Sequence, residues 1–334
     1  MPRVSVLMPL YNAEATVATS IASALALTGA EVEVIAIDDA STDATVDVVG
    51  AIAAGEPRLK LLRSPSNGGP GAARARGLSA ATGDWVAILD ADDTFEPDRL
   101  ARLVALAEAE GLDAIADNLA LVDPGLGSRE QSDPAPATPS TCFGEVVGLA
   151  FPLDEDALIP ITAERFLQNT RPAGRVNLGW MQPVIRRDVL TRHSITWPSL
   201  RHAEDAVFTM RLLLSGARLA LTGWPGYRYT QRRGTVSGQA SAFSRTRRST
   251  DEQIGAIRLI EQEAAGRLSP GAERRLRLMP GEIAATTAVL EMRDALSSRA
   301  PGQALRAAPG LLRHPVALCR CLYTRFGPGA ARLE

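Results

Sequence analysis

Asp84-Trp85-Val86-Ala87-Ile88-Leu89-Asp90-Ala91-Asp92-Asp93 is an apolar, strand-like run that ends in three carboxylates within four residues. Carboxylates this close repel one another and disfavour their ionised forms. A divalent cation removes that cost, and hard cations take oxygen ligands from one or two carboxylates together with phosphates. The stretch therefore reads as the carboxyl end of a β-strand bearing a metal–nucleotide site. The same residues, placed before Thr94 and Pro97, also suit a turn and a helix N-cap, where Asp bonds nearby backbone N–H groups. The neighbouring sequence bears on the choice.

Strand-like runs lie at Arg3–Met8, Glu31–Ile37, Arg58–Leu62, Trp85–Leu89 and Asp113–Leu121. Between them, helix-like runs cover Ala13–Leu27, Asp43–Ala54, Pro70–Ala81 and Pro97–Glu110. This alternation predicts an α/β fold with a mostly parallel sheet flanked by helices. Ligands of such sheets sit beyond the carboxyl ends of the strands. Polar groups gather at four of those ends: Pro9-Leu10-Tyr11-Asn12, Asp38-Asp39, Ser66-Asn67-Gly68-Gly69 and Asp90–Asp93. Four strand ends form a constellation that a single capping motif does not explain.

Residues 124–140, rich in Pro, Gly, Ser and Asp, read as a loop or boundary. Three parts are expected: 1–123 as a Rossmann-like nucleotide-binding half, 124–240 as an acceptor half with the catalytic base, and 241–334 as a helical extension punctuated by Pro270, Pro280, Pro301, Pro309 and Pro315. The extension carries 15 Arg against 9 acids, a net +6, which leaves −8 for the rest of the chain. Arg306, Arg313 and Arg320 recur every seven residues and would share a helix face. That face suits an anionic membrane surface, or else a helix docked on the catalytic domain with its arginines solvated. Pro309 and Pro315 would interrupt a continuous helix.

The net charge of −2 over 334 residues argues against a nucleic-acid partner. Cys142, Cys319 and Cys321 are too few and too poorly spaced for a disulfide framework or a zinc knuckle. The N-terminus lacks a signal-peptide layout, and no run approaches the ~18 apolar residues of a membrane span. A cytoplasmic location follows as the expectation, with any contact to the inner face of the plasma membrane peripheral.

Gly69-Pro70-Gly71-Ala72-Ala73-Arg74 fails as a dinucleotide fingerprint, because Arg74 takes the third glycine position and the run follows the third strand. It suits a loop entering a helix at Pro70. Arg74 then lies one turn in, able to approach a phosphate or base, or else stands as a surface cation. Asp38 and Asp39 suit hydrogen bonds from a nucleobase or ribose, or N-capping of the next helix, for which Ser41 and Thr42 serve equally. Glu204 and Asp205 open an amphipathic helix, where acids complement the helix dipole; a carboxylate there can also act as general base toward a hydroxyl. Trp180 is equally suited to stacking on a sugar or to the core. Arg232 and Arg233 suit a clamp on a leaving diphosphate or an exposed loop.

Together these motifs resemble glycosyltransferase family 2, the inverting GT-A class, over about residues 1–240. Val4–Glu14 resembles its opening strand and nucleotide loop. Ile37–Asp43 resembles its first aspartate motif, with Ala40 in place of the usual glycine. Asn67–Leu78 resembles its Ala-Arg-Asn segment, with Ala75 in place of the asparagine. Leu89–Asp93 resembles its metal motif and Glu204-Asp205 its base motif.

The resemblance implies nucleotide-sugar contacts at Pro9, Tyr11, Asn12 and Glu14 on the first loop. It adds Asp39 on uracil, Gly71 and Arg74 on the third loop, and Asp90 and Ala91, with Asp90 on the ribose. It implies Asp92 on Mg²⁺ or Mn²⁺ and Asp205, beside Glu204, as the base. It implies a UDP-sugar donor and a growing, polyprenyl-diphosphate-linked glycan as acceptor. Ala114–Asn118 and Gly179–Arg187 resemble bacterial exopolysaccharide glucosyltransferases of the succinoglycan type. Processive members carry Gln-x-x-Arg-Trp and membrane helices; Gln231-Arg232-Arg233-Gly234-Thr235 lacks the tryptophan, so single-sugar addition is expected. A sugar nucleotidyltransferase is a weaker alternative, because no glycine-rich loop with a lysine lies near the N-terminus. A catalytically inactive nucleotide-sugar-binding protein is disfavoured by the acids at 90, 92, 204 and 205.

Overall fold

The computed structural model describes residues 1–123, 145–170, 177–231, 243–297 and 315. The proline-rich stretch 124–140, Cys142, Arg232, Arg233 and the arginines at 306, 313 and 320 lie outside the described residues. The chain divides into two units that are discontinuous in sequence. The first comprises Met1–Ile161, Met181–Leu200 and Ser215–Arg232; the second comprises Thr162–Trp180, Arg201–Leu214 and Arg233–Glu334.

The first unit opens with β1 (Arg3–Leu10), α1 (Val17–Leu25), β2 (Glu31–Asp38), α2 (Thr45–Ala53), β3 (Leu59–Arg63), α3 (Pro70–Ala80) and β4 (Trp85–Ile88). β1, β2 and β4 are almost wholly buried, which is why they read as continuous apolar runs rather than as alternating ones. Short β5 (Thr94–Phe95) and α4 (Arg99–Ala109) follow, then β6 (Ala114–Ala116), β7 (Leu119–Asp123), β8 (Glu145–Leu149) and β9 (Leu158–Ile161). Later segments add β10 (Val184–Arg186), α6 (Arg187–Arg192), β11 (Leu219–Thr222) and β12 (Tyr227–Thr230) to the same unit.

Eight strands form one sheet in the order β3-β2-β1-β4-β10-β6-β11-β9. β1 runs parallel to both β2 and β4, β2 to β3, and β11 to β6, while β10 runs antiparallel between β4 and β6. The chain steps outward from β1 through β2 to β3 and then returns to the other side of β1 at β4. The strand order therefore reverses between β1 and β4, the kind of edge where parallel sheets open a ligand crevice at the strands' carboxyl ends.

The run Asp113–Leu121, read above as one strand, is two. β6 belongs to the large sheet and β7 to a second sheet ordered β5-β12-β7-β8, which the sequence reading did not anticipate. The break falls at Asp117 and Asn118. Asn118 closes the corner by accepting the Phe151 N–H (2.9 Å) and donating to the Phe151 carbonyl (2.8 Å). Asp117 is wholly buried and forks onto Arg99, with contacts of 2.9 Å to Nε and 2.6 Å to Nη2; both side chains are 0 % exposed. The Arg99 guanidinium also donates to the Gln182 carbonyl (2.7 Å) and lies 4.4 Å from the Phe95 ring centroid and 5.2 Å from that of Tyr227. Asp117 accepts the Gly226 N–H at 3.0 Å. A Cβ on Gly226 would lie 2.8 Å from that carboxylate and 2.3 Å from the Trp224 ring, so only glycine fits here.

The second unit contains α5 (Ala163–Asn169), a short 3₁₀ turn at Leu178–Trp180, α7 (Glu204–Leu214), α8 (Phe243–Glu263) and α9 (Pro270–Ser297). α8 packs on both α7 and α9, and Phe208, Met210, Ile257, Ile260, Leu276 and Met279 on these helices are buried. Arg211 forks onto Glu263 (3.0 and 2.7 Å). Of the prolines that punctuate this region, Pro270 begins α9 and Pro280 lies inside it. The buried residues Met279 and Ile283 hold the helix on both sides of the missing N–H donor. Among the described residues no helix is long and apolar enough to cross a membrane.

Breaking a buried pair strands one charge without a partner, at a cost of about 3–5 kcal/mol. Asp117→Ala is expected to lower the unfolding free energy by about that amount in urea titrations followed by tryptophan fluorescence. A loss below about 1 kcal/mol, the range of exposed pairs, would show that the pair is not a structural hub.

Candidate active site

The first unit brings the loops after β1, β2, β3 and β4 to one edge of the large sheet, and hydrogen bonds lock them together. After β1, Tyr11 is 51 % exposed and Asn12 adopts a left-handed backbone, φ +50°. The Asn12 carboxamide oxygen accepts the Thr42 N–H (2.8 Å), and the Asn12 N–H donates to the Ser41 hydroxyl (3.0 Å). The Glu14 carboxylate accepts the Ala44 N–H at 2.8 Å. Asn12 and Glu14 therefore brace the first loop against the second. Pro9 is within β1, opposite Ile37 of β2.

Asp38 and Asp39 are both buried at the end of β2. Asp38 accepts the Ser41 N–H (3.2 Å) and so shapes its own turn. Asp39 accepts the Gly68 and Gly69 N–H groups at 2.9 and 2.7 Å, one on each carboxylate oxygen. It thus ties the second loop to the third, and neither acid caps α2 with its side chain. Ala40, at the position noted for glycine, sits at φ +60°.

Gly69 adopts φ +86° and Pro70 takes the first position of α3, as the sequence suggested. The Gly71 N–H reaches the Leu200 carbonyl at 3.4 Å. Arg74 is no surface cation: it is 3 % exposed and binds Asp90 Oδ1 at 2.8 Å.

The three acids after β4 have separate surroundings. Asp90 meets Arg74 and, at 3.4 Å, the Gln182 side-chain amide. The Ala91 carbonyl accepts the Ser20 hydroxyl of α1 (2.9 Å). Asp93 turns into the protein, where it accepts the Tyr227 hydroxyl (2.7 Å) and the Thr230 N–H (2.7 Å). The Tyr227 hydroxyl in turn accepts the Asp90 N–H at 3.2 Å. Burial above all, then the charges of Asp92 and Asp90, push the Asp93 carboxyl well above the usual carboxylate range. Burial and the two acids Asp93 and Asp90 likewise raise the Tyr227 phenol well above its ordinary value.

Asp92 is half-buried on the same turn. Among the described residues no three His, Cys, Asp or Glu side chains gather into a cation cluster. Asp93 is taken by Tyr227 and Thr230 and Asp90 by Arg74, so the metal reading rests on Asp92. The remaining acid still fits a cation brought with its substrate, because Mg²⁺ is commonly held by one or two carboxylates plus phosphate oxygens.

In the second unit, Glu204 and Asp205 open α7, directly after Ala203 at φ +60°. Glu204 is buried and Asp205 half-buried, so Asp205 is the more accessible acid. Trp180 ends the 3₁₀ turn, which packs on α7, and is 44 % exposed, which excludes a core role. Asn177 shapes that turn, its side-chain oxygen accepting the Gly179 N–H (3.0 Å) and its carbonyl the Trp180 N–H (3.1 Å).

Sequence reading missed Tyr227, Gln182 and Ser20. Tyr227 carried only a weak signal as part of the short aromatic strand Tyr227-Arg228-Tyr229. Ser20 sits in a helix interior, where a hydroxyl rarely declares its partner.

Comparison with known proteins adds independent findings. The family model "Glycosyl transferase family 2" matches residues 5–160. Succinoglycan biosynthesis protein ExoO of Rhizobium meliloti is 35% identical over 240 residues, covering 71% of this chain and 63% of its own length. Succinoglycan biosynthesis protein ExoU of the same organism is 30% identical over 320 residues, covering 94% of this chain and 84% of its own length. The chain thus spans less than two thirds of the first relative and most of the second. The crystal structure of S. aureus TarS 1-349 in complex with UDP-GlcNAc superimposes with a TM-score of 0.60 at 21% identity, over 97% of this chain and 87% of that one. Mannosyltransferase PcManGT from Pyrobaculum calidifontis, in complex with GDP-Man and Mn²⁺, gives 0.55 at 18% identity, over 98% and 88%. The shared fold is the GT-A-type α/β architecture expected from the sequence.

Ala40 bears a Cβ in a conformation that costs L-residues about 1–2 kcal/mol, against about 0.5–1 kcal/mol of chain entropy recovered when glycine is avoided. Ala40→Gly is therefore expected to stabilise the protein by about 0.5 kcal/mol in reversible unfolding. A net loss of stability would show that the Ala40 methyl group makes a compensating contact.

Proposed function

The chain belongs to glycosyl transferase family 2, and from that premise we propose that it is an inverting hexosyltransferase. In this reading it moves one glucose from a UDP-sugar to a hydroxyl of a lipid-linked exopolysaccharide. The observation that carries the proposal is the meeting of four strand-end loops at the β1/β4 edge, with Asp39, Arg74 and Asp90 locked among them. The UDP-GlcNAc bound by the TarS structure supports a UDP-sugar donor, and the two succinoglycan relatives support an exopolysaccharide acceptor.

Residues 1–123 would form the donor half, 124–240 the acceptor half, and 241–334 a helical extension. Tyr11 would face the nucleotide as an exposed aromatic, with Pro9, Asn12 and Glu14 shaping the loop beneath it. Both Asp39 oxygens are engaged by backbone amides, yet each carboxylate oxygen has two lone pairs. Asp39 can thus hold the Gly68–Gly69 turn and still accept the uracil N–H. Asp90, oriented by Arg74, would take the ribose, with the Ala91 and Gly71 backbone nearby on their loops.

Asp92 would hold Mg²⁺ or Mn²⁺ together with the diphosphate. When bound, such a cation neutralises charge developing on the departing diphosphate. Asp205 would take the proton from the acceptor hydroxyl, with Glu204 beside it in the first turn of α7. The freed oxygen attacks the anomeric carbon on the face opposite UDP. As the new glycosidic bond forms, the bond to the diphosphate oxygen breaks, UDP leaves with the electron pair and the configuration inverts. Trp180 would stack on an acceptor sugar. Arg232 and Arg233 would steady the diphosphate, and the arginines at 306, 313 and 320 would meet an anionic membrane surface on its cytoplasmic side.

A panel of UDP- and GDP-sugars with Mn²⁺, scored for nucleotide release and thermal stabilisation, tests the donor. UDP-glucose is expected to lead, and preferential stabilisation by GDP-mannose would overturn the uracil assignment. Asp205→Asn should reduce turnover by about 10²–10⁴-fold, the typical contribution of a general base, with UDP binding unchanged; retained turnover would remove Asp205 from the mechanism. Trp180→Ala should raise the acceptor KM several-fold and leave the donor KM alone. Equal effects on both would argue against stacking on the acceptor.

A further inference from the structure

The turn that carries Asp90 and Asp92 is held by Arg74 of the third loop and by three groups that belong to none of the nucleotide-loop motifs: Ser20, Gln182 and Tyr227. Ser20 holds its middle through the Ala91 carbonyl, and Arg74 and Gln182 hold the Asp90 carboxylate. One side chain reaches its backbone and its last acid together. The Tyr227 hydroxyl accepts the Asp90 N–H (3.2 Å) and donates to Asp93 Oδ2 (2.7 Å), which closes the turn from Asp90 to Asp93 like a buckle.

Tyr227 is completely buried. Its ring meets Phe95 edge-on, with centroids 5.6 Å apart and planes at 66°, and the Arg99 guanidinium lies 5.2 Å from its centroid. It stands on β12, in the second sheet, and so joins that sheet to the turn after β4 of the first. The ring alone would satisfy the packing. The hydroxyl does something packing does not require: it bonds the Asp90 amide and the Asp93 carboxylate, on either side of Asp92.

We propose that Tyr227 is a positioning residue of the donor site, its hydroxyl setting the geometry in which Asp92 meets a cation-bound diphosphate. The inference rests on the donor-site reading above. It acts through the backbone of the turn rather than by contact with substrate. Groups that orient metal ligands in this way typically contribute 10–100-fold to metal affinity or activity.

Tyr227→Phe keeps the ring and removes both hydrogen bonds. Isothermal titration with UDP, in Mn²⁺ and separately in EDTA, supplies the decisive readout. UDP affinity in Mn²⁺ is expected to fall about 10-fold or more, while affinity in EDTA and the acceptor KM stay at wild-type values. Leu276→Ala, a core truncation in α9, serves as the stability control and should lower the melting temperature without changing UDP affinity in Mn²⁺.

Equal weakening in Mn²⁺ and EDTA, or no weakening, would overturn the positioning role. Should Tyr227→Phe fail to fold, Asp93→Asn decides. It keeps the shape at 93 but puts an amide donor in place of one of the two oxygens that accept from Tyr227 and Thr230, and it should show the same Mn²⁺-specific loss. If the wild-type protein binds UDP no better with Mn²⁺ than without, the donor-site reading itself falls, and that result is separate from any outcome for Tyr227.

Discussion

The ion pair between Arg99 and Asp117 is the constraint on which the first unit turns. Both groups are excluded from water, so each charge depends on the other and on the polar atoms around it. Burying an ion pair is costly and is weak evidence of stability by itself, because desolvation can exceed the Coulombic gain. Its effect here is to specify an arrangement. The guanidinium fork reads the Asp117 carboxylate at the β6–β7 corner and the Gln182 carbonyl just before β10. Its flat face lies against Phe95 of β5 and Tyr227 of β12. The carboxylate takes the amide of Gly226 at the start of β12. A shift of either sheet relative to the other would strand a charge.

From that pair the order reaches the candidate donor site along two routes. One runs through Gln182, whose carbonyl meets Arg99 and whose side-chain amide meets Asp90. The other runs through Tyr227 to Asp93 and the Asp90 amide. Three acids in four residues would be mutually repulsive on a bare turn. The fold separates them by giving Asp90 a cation and Asp93 a buried hydroxyl and amide, with Asp92 between. The raised affinity of Asp93 for a proton records what that placement costs. Backbone strain gathers near the candidate acids too, with Ala40 after Asp39 and Ala203 before Glu204 both in the left-handed region. Strain of this kind persists only where the surroundings over-determine the conformation.

Much of this architecture was legible before any coordinates. The apolar runs of β1 and β2 and the helix entry at Pro70 came through because each depends on local pattern. The grouping of polar residues at strand ends followed from the rule that parallel sheets bind ligands there. The split at Asp117–Asn118 was invisible, because an Asp-Asn pair inside an apolar run signals a corner only once its partners at Arg99 and Phe151 are known. Arg74 was ambiguous for a similar reason. A helix-borne arginine is read as solvated unless a distant carboxylate is known to face it.

Residue order alone determined the class of fold, the edge of the sheet that carries the polar loops, and the acids that mark the family. Those properties are set by periodicity and by short-range chemistry within each segment. Tertiary structure decided how the acids are employed: Asp39 bracing a turn, Asp90 answering Arg74, Asp93 withdrawn to Tyr227 and Asp92 left on the half-buried face. It also decided that Trp180 lies at the surface rather than in the core. A carboxylate's role depends on which donors reach it and how much water remains around it, and both are supplied by residues tens to more than a hundred positions away in the chain.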